Sequence, residues 1–427
     1  MQYLLTTLGC KVNQYESSVL AAEMRGLGFF PAEKIESADI FILNSCTVTQ
    51  NSDKKNRRLL DAAKNKNPQV ITVLTGCFPQ AFPEEAKKLG ADITVGVAKR
   101  KALPSLISEF IKDRKPIEKI MPVSALDVYE EFGGFNADSG RTRAFIKIQD
   151  GCDSNCAYCI VPRARGAPRS RPLENIKSEA HAAAKAGYKE IVLTGINLTK
   201  YGATPELNLC DAVNAVSEYA ERVRLSSVEP DLLTNNILEK LSQTEKLCPH
   251  FHLSLQSGSD GVLRRMGRRY TAEEYYKKVM KIRELFKDGA FTTDIIVGFP
   301  GETEEELSQS LDFARKVNFS KIHVFPYSVR DGTPAASMEN QVPESVKRER
   351  CKTMLSAADE MRQNFLTAQI GKTLRVLVEK RTSPESDIAF GHAENYAPIR
   401  ILSQPAKRND ILDVKITDVG NGFCVGR

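Results

Sequence analysis

Cys152-Asp153-Ser154-Asn155-Cys156-Ala157-Tyr158-Cys159 sets three cysteines into eight residues, at a C-x3-C-x2-C spacing. If the turn closes, the three sulfurs meet at one point, and converging thiolates bind a metal ion or an iron–sulfur cluster. Only three ligands are local. Zinc on three thiolates, with a water or a remote fourth ligand, is one reading. The nearest histidine, His181, lies well away on a predicted helix. A [4Fe–4S] cluster on three cysteines, with one iron open to a ligand other than protein, fits the donor set better. A buried loop with incidental cysteines is the bland alternative; loops seldom concentrate thiols without a metal or disulfide role.

The loop is delivered by an alternating strand, Arg143-Ala144-Phe145-Ile146-Lys147-Ile148. Further strands are predicted at Glu190–Thr194, Arg222–Ser227, Phe251–Gln256, Phe291–Val297 and Lys321–Pro326, with helices between them near 173–187, 208–220, 234–242, 272–287 and 303–317. Six strand–helix units point to a parallel, partly or fully closed β/α barrel over residues 136–366, whose chemistry belongs at the carboxyl ends of the strands. Those ends read Thr194-Gly195-Ile196-Asn197, Ser226-Ser227-Val228-Glu229-Pro230, Gln256-Ser257-Gly258-Ser259 and Val297-Gly298-Phe299-Pro300-Gly301-Glu302. Each alone is an ordinary turn. Together, above a cysteine cluster, they are better explained by a bound cofactor.

Upstream, residues 1–135 alternate apolar strands (Tyr3–Leu8, Ala38–Asn44, Gln69–Thr75, Ala91–Val95) with helices (Tyr15–Gly26, Ser52–Asn65, Pro83–Leu89), the signature of a parallel, Rossmann-like sheet with helices on its faces. Cys10, Cys46 and Cys77 each follow the carboxyl end of one strand. In a parallel sheet those ends share one edge, where ligands bind. Three cysteines remote in sequence are therefore expected to converge, and the domain has no histidine to complete a zinc site. A second three-cysteine cluster is the preferred reading over three unrelated buried thiols. Val128–Gly140, with Gly133, Gly134 and Gly140, reads as a linker. Beyond residue 366, strands at Thr373–Glu379 and Ile411–Thr417, with turns at Gly391, Gly420 and Gly422, suggest a small antiparallel β-barrel over 367–427.

With 427 residues, 41% hydrophobic and 27% charged, the chain has room for two or three globular domains. It has no uncharged apolar run long enough to cross a membrane and no secretion signal at Met1-Gln2-Tyr3. Ten cysteines without such a signal indicate a reducing, cytoplasmic setting. A net charge of +6 permits a nucleic-acid partner without requiring one. Basic clusters stand at Lys54, Lys55, Arg57 and Arg58, at Arg163, Arg165, Arg169 and Arg171, and at Arg264, Arg265, Arg268 and Arg269. Each reads either as a grip on an RNA backbone or a carboxylate, or as a solvated face.

The Cys152/Cys156/Cys159 loop on a β/α barrel resembles the radical S-adenosylmethionine superfamily. The Cys10/Cys46/Cys77 domain narrows the resemblance to the methylthiotransferases, over essentially the whole chain. Thr7-Leu8-Gly9-Cys10-Lys11-Val12-Asn13-Gln14-Tyr15-Glu16-Ser17 looks most like the MtaB branch, which modifies threonylcarbamoyladenosine in tRNA; the sister branches read differently after this cysteine. The C-terminal barrel resembles the TRAM domain at Gly391-His392-Ala393-Glu394-Asn395-Tyr396.

The resemblance implies two [4Fe–4S] clusters, one on each trio, and S-adenosylmethionine as cofactor. It places the adenine beside Tyr158 and the methionine amino group at Gly195 and Asn197. Ser226, Glu229, Gln256 and Asp294 become further cofactor or substrate ligands, and Asn395 and Tyr396 RNA contacts, with Tyr396 stacking on a base. The implied partners are the anticodon stem-loop of tRNA, an external electron donor and a sulfur source. Competing expectations are methylthiolation of isopentenyladenosine or of a ribosomal-protein aspartate, and a non-catalytic iron–sulfur RNA-binding protein.

Overall fold

Alternation of apolar strands with helices produces the expected parallel sheet at the N-terminus. A computed structural model describes residues 1–131, 135, 140–204, 206–381, 388–402 and 406–427. Strands β1 (Gln2–Thr7), β2 (Phe30–Pro31), β3 (Ile40–Ser45), β4 (Ile71–Gly76), β5 (Ile93–Val95) and β6 (Ile117–Lys119) run in the order β2-β1-β3-β4-β5-β6, all parallel. The short strands β2 and β6 were not anticipated, because two or three residues carry too little pattern. Helix α1 (Lys11–Gly26) starts four residues earlier than its apolar spacing suggests, directly after Cys10. Its Tyr15, Val19, Leu20 and Met24 share one core with Ile40, Ile42 and Val73 of the sheet. Helix α2 (Gln50–Lys66) is capped by the Thr49 hydroxyl, which accepts from the Ser52 N–H.

The central domain splits its strands into two parallel sheets. Strands β7 (Arg143–Lys147), β10 (Glu190–Thr194) and β11 (Arg222–Leu225) form one. Strands β12 (Ser227–Val228), β13 (His250–Leu253), β14 (Ala290–Val297) and β15 (Lys321–Pro326) form the other. Only Ser226 separates β11 from β12, and among the described residues β15 does not pair back onto β7. The barrel is therefore open. A small antiparallel pair, β8 (Gln149–Asp150) and β9 (Arg169–Ser170), brackets the cysteine loop.

The two-residue period of these strands sorts their side chains onto two faces. Ala144, Ile146, Ile191, Leu193, Val223, Leu225, Phe251, Leu253, Phe291, Ile295 and Ile322 join one core with the surrounding helices. The intervening positions, Arg143, Phe145, Lys147, Glu190, Val192, Arg222, Arg224, His250, His252, Thr292, Asp294 and His323, take the opposite, concave face. A closed barrel would fill that interior with branched apolar side chains. Here it is polar and charged, as a ligand chamber requires.

The C-terminal strands β16 (Thr373–Arg381), β17 (Ala389–Ala393), β18 (Pro398–Ile401), β19 (Ile411–Gly420) and β20 (Phe423–Gly426) close into a five-stranded barrel in the order β16-β17-β18-β20-β19. The expectation of an antiparallel barrel needs one amendment: β18 and β20 pair in parallel. Most of the predicted linker, including 132–134 and 136–139 and so Gly133 and Gly134, lies outside the described residues. Leu126 and Tyr129 are buried and the Tyr129 hydroxyl donates to the Lys147 carbonyl. Tyr129 is thus held on the central domain by a polar partner, while its neighbour Val128 is exposed.

Candidate cluster and substrate site

Two glycines let the N-terminal cysteines converge. Gly9 and Gly76 both have φ of +101°, a left-handed value that side chains avoid. A Cβ on Gly9 would sit 2.8 Å from the Cys46 Cβ and 2.9 Å from its Sγ; one on Gly76 would meet the Asn44 Oδ1 at 2.5 Å. The three strand ends are then tied together by side chains. Asn13 Nδ2 donates to the Leu8 carbonyl (2.8 Å) and the Ser45 carbonyl (2.9 Å), and Ser45 Oγ donates to the Thr75 carbonyl (2.5 Å). Cys10 caps α1, and Cys77 opens the short helix Cys77–Ala81. The strand-end reading of the first domain thus matches the geometry.

The donor set fits an iron–sulfur cluster at each trio. Cys10, Cys46 and Cys77 are close enough to perturb one another, as are Cys152, Cys156 and Cys159, and none of the six forms a disulfide. Burial pushes the Cys77 and Cys159 thiols up to about 12, and raises Cys46 and Cys156 as well. Bare, such thiols stay protonated; a bound cluster is what replaces their protons. Each trio also has one arginine on a sulfur. Arg165 Nε lies 3.3 Å from Cys77 Sγ, and Arg268 Nη1 lies 3.2 Å from Cys156 Sγ. Asn197 Nδ2 approaches Cys152 Sγ at 3.8 Å, and the Ser154 and Val48 N–H groups point at Cys152 and Cys46 Sγ. Hydrogen bonds to the sulfurs are a main lever on cluster potential.

Beside the second trio lies a cavity of about 250 Å³, lined by Tyr158, Cys159, Gln256, Asp294 and Tyr327 and, from the N-terminal domain, by Val48 and Thr49. Gln256 has φ of +72°, unusual for a side-chain-bearing residue, and continues the sheet by bridging to Ile295. Such outliers cluster where a backbone is held for function. Ser226 is 4% exposed and its hydroxyl has no partner among the described residues, so it stands ready for a ligand. Gly195 packs its α-carbon against Gln149, where a Cβ would come within 3.0 Å. The Gln149 Oε1 in turn accepts from the Asn197 N–H at 2.8 Å. Glu229 is ion-paired with Arg268. Burial raises its pKa even against that arginine.

Three of the four arginines after the cysteine loop are not free for RNA. Arg165 is fully buried and holds Glu16, Asp150 and Asn13. Glu16 is also held by Arg100 and Lys147 (2.9 and 2.8 Å). Burial alone would raise Glu16, but these cations keep it well below the usual carboxylate range. Arg169 donates to the carbonyls of Leu126, Arg165 and Ala167, and Arg171 pairs with Glu131 and Glu179. The loop is thus the seam between the first two domains. Arg163 alone of the four is exposed, lying over the Phe82 ring.

Tyr396 and Asn395 also differ from expectation. Asn395 is buried, donates to Gln369 and caps the Ala397 N–H. Tyr396, at φ +66°, stacks on His392 and meets the tilted ring of His250 of the central domain at 4.8 Å, under the guanidinium groups of Arg143 and Arg224. Arg224 donates to the Glu394 carbonyl at 2.8 Å. The turn plugs the floor of the open barrel rather than presenting a ring to solvent.

Sequence reasoning assigned no role to Lys11, Asn13 or Glu16, although all stand in the Thr7–Ser17 stretch. It also missed His252, Asp294 and His323 as a group; their ligand atoms lie within 4.8 Å of one another on three adjacent strands. The even spacing of the strands was the available signal. Lys54, Lys55, Arg57 and Arg58 are exposed on α2 and make no ion pair among the described residues.

Comparison with known proteins places these features. Residues 146–314 match the Radical SAM superfamily, and residues 2–96 the Uncharacterized protein family UPF0004. The threonylcarbamoyladenosine tRNA methylthiotransferase MtaB of Bacillus subtilis is 36% identical over 428 residues, covering 99% of this chain and 95% of its own. MtaB of Thermotoga maritima is 40% identical, covering 88% and 86%. A tRNA-2-methylthio-N(6)-dimethylallyladenosine synthase of Clostridium botulinum is 35% identical, covering 100% and 96%. Among solved structures, the radical S-adenosylmethionine methyltransferase TsrM of Kitasatospora setae shares the fold, with a TM-score of 0.59 at 14% identity over 78% of this chain and 77% of that one.

Proposed function

The chain belongs to the radical S-adenosylmethionine methylthiotransferase family, in its MtaB branch, and from that premise we infer that it converts N6-threonylcarbamoyladenosine beside the anticodon of tRNA to its 2-methylthio derivative. The observation that carries this reading is the pair of cysteine trios, one on the barrel loop and one at three strand ends of the adjoining domain, in a chain that aligns end to end with its relatives. Cys152, Cys156 and Cys159 hold one [4Fe–4S] cluster; Cys10, Cys46 and Cys77 hold a second. When bound, the first cluster supplies an electron and S-adenosylmethionine supplies an oxidising carbon radical and a methyl group, chemistry that side chains lack. Tyr158, Gln256 and Asp294 shape the cavity for the cofactor, Asn197 reaches the Cys152 sulfur, and the Ser226 hydroxyl follows β11 without a partner among the described residues. Arg268 fixes Glu229 and the Cys156 sulfur together.

The division of the chain into 1–135, 136–366 and 367–427 is supported by the separate hydrophobic cores around the sheets of each part. The C-terminal barrel is read as a TRAM-type module, and the exposed cations of α2 with Arg163 as the backbone-gripping surface for the stem-loop. The enzyme works in the cytoplasm with an external electron donor and a sulfur source. Mass spectrometry of tRNA nucleosides from cells lacking the protein tests the reading. Loss of 2-methylthio-threonylcarbamoyladenosine, with its unthiolated precursor accumulating, is the expected result. Loss of the 2-methylthio-dimethylallyl nucleoside instead would assign the chain to the other substrate.

A further inference from the structure

A second, larger cavity of about 530 Å³ opens on the concave face, on the size scale of pockets that enclose a nucleoside-sized ligand. Its wall joins all three domains: Lys11 from α1, Arg143, Val192 and Arg224 from the open barrel, and Glu379 and Tyr396 from the C-terminal barrel. The charge of this wall is lopsided. Six cationic side chains, Lys11, Arg141, Arg143, Arg224, Lys380 and Arg408, face one carboxylate, Glu379. Glu190, behind the wall, is shared by Arg143 (2.8 Å), Arg222 (2.9 Å) and Arg224 (2.7 Å). Arg143 is also paired with Glu379 (2.6 Å), so two carboxylates meet three guanidinium groups and leave an excess of positive charge. Lys11 has no ion pair or hydrogen bond among the described residues, although it follows Cys10 directly and shares the chamber with these arginines. Its side chain is open to the solvent of the chamber, so an entering ligand can reach it. Positive charge gathered in a concave chamber with fewer carboxylates than cations among the described residues marks a site suited to an anion.

We propose that Lys11, backed by Arg143 and Arg224, binds the carboxylate of the threonylcarbamoyl group and so selects the modified base on which the enzyme acts. The proposal rests on the substrate reading above and deepens it. A threonylcarbamoyl group ends in a carboxylate and a hydroxyl; a dimethylallyl group is apolar and brings no charge to pair. In this chamber an apolar group would leave the cations desolvated and uncompensated, so the same wall that attracts the first repels the second. Lys11 supplies the mobile ammonium. The arginines, already fixed by Glu190, supply a rigid positive floor. Being next in sequence to Cys10, Lys11 would place the anionic end of the base beside the N-terminal trio.

The test uses the full chain, reconstituted with iron and sulfide, and stem-loop RNAs of one sequence. The modified base carries threonylcarbamoyl, its carboxamide analogue or dimethylallyl. The wild-type protein should favour the carboxylate over the carboxamide by about tenfold or more in kcat/KM. Lys11→Met should lower turnover of the carboxylate RNA by a similar factor and leave the carboxamide RNA little changed. Lys11→Arg should restore most of the preference. Iron content and RNA-independent 5′-deoxyadenosine formation should match wild type in both variants. Equal wild-type rates on carboxylate and carboxamide would overturn the proposal without any variant, as would an equal loss on both RNAs in Lys11→Met. A wild-type protein that thiolates only the dimethylallyl RNA would overturn the substrate reading itself.

Discussion

The two cysteine trios solve one problem in opposite ways. Cys152, Cys156 and Cys159 come from a single eight-residue loop, so local chain geometry brings them together. Cys10, Cys46 and Cys77 come from three strand ends spread over 68 residues, and only the parallel sheet joins them. The loop trio needs a scaffold to aim it; the strand-end trio needs the scaffold to exist. Each is held by an arginine, but of different character. Arg268 belongs to the cysteine loop's own domain and pairs with Glu229. Arg165 reaches across a domain boundary to Cys77 and Glu16. Through its arginine the strand-end site is therefore tied to domain docking, whereas the arginine of the loop site is anchored within its own domain.

The largest expected effects separate the chemistry of the two sites. Cys156→Ala should abolish 5′-deoxyadenosine formation from S-adenosylmethionine. Cys46→Ala should keep it, under reducing conditions, while abolishing methylthiolated product. Chromatography of both products from the same reactions checks this; normal methylthiolation by Cys46→Ala would erase the distinction between the sites.

Next in size is the difference between the arginines. Arg165→Met leaves Glu16 and Asp150 with too few cations in a buried seam, a loss on the order of 3–5 kcal/mol. Urea denaturation of the apo-protein should show it as early loss of the N-terminal domain's docking. Arg268→Met should cost clearly less, because burial already pushes Glu229 toward its neutral form. Equal losses would mean that the seam is no more coupled to folding than the loop.

A smaller effect follows from Asp150. Burial would raise its carboxyl, but Lys147 and Arg165 override burial and hold it down to about 2, from the usual 3.8. A depressed carboxylate contributes stability that is complete above the usual value and is lost as pH falls through the lowered one. Apo-protein stability should therefore drop between pH 3.8 and about 2, and Asp150→Asn should flatten that part of the profile. An unchanged slope in the variant would show that Asp150 is not part of the seam's balance.

The least effect on fold, and a moderate one on RNA, is expected from the surface. Replacing Lys54, Lys55, Arg57 and Arg58 by Ala should leave both clusters intact and weaken stem-loop binding. It should also reduce the salt dependence of binding, by about one unit of slope for each phosphate no longer gripped. Affinity unchanged at fixed salt would remove α2 from the RNA surface.

These contrasts also explain what was readable in the sequence. The loop trio is a motif within one turn and needs no fold to be seen. The strand-end trio was readable because strand alternation predicts a parallel sheet, and a parallel sheet has one ligand edge. The arginine loop misled for the converse reason. Arg165, Arg169 and Arg171 look like a basic patch in one dimension, because Glu16, Glu131 and Glu179, which pair with two of them, lie elsewhere in the chain. Tyr396 misled because an aromatic on a small barrel can face solvent or a neighbouring domain, and only the three-dimensional docking decides. Lys11 was invisible as a chamber residue because the concave wall is assembled from all three domains.

The central claim is that the two trios are separate, independently loaded cluster sites. Iron and acid-labile sulfide should be measured after anaerobic reconstitution of two variants, one with Cys152, Cys156 and Cys159 replaced by Ala and one with Cys10, Cys46 and Cys77 replaced. Each should retain about half of the wild-type content with a [4Fe–4S] spectrum, as two three-cysteine sites require. Loss of all iron from either folded variant, or wild-type content in either, would contradict it.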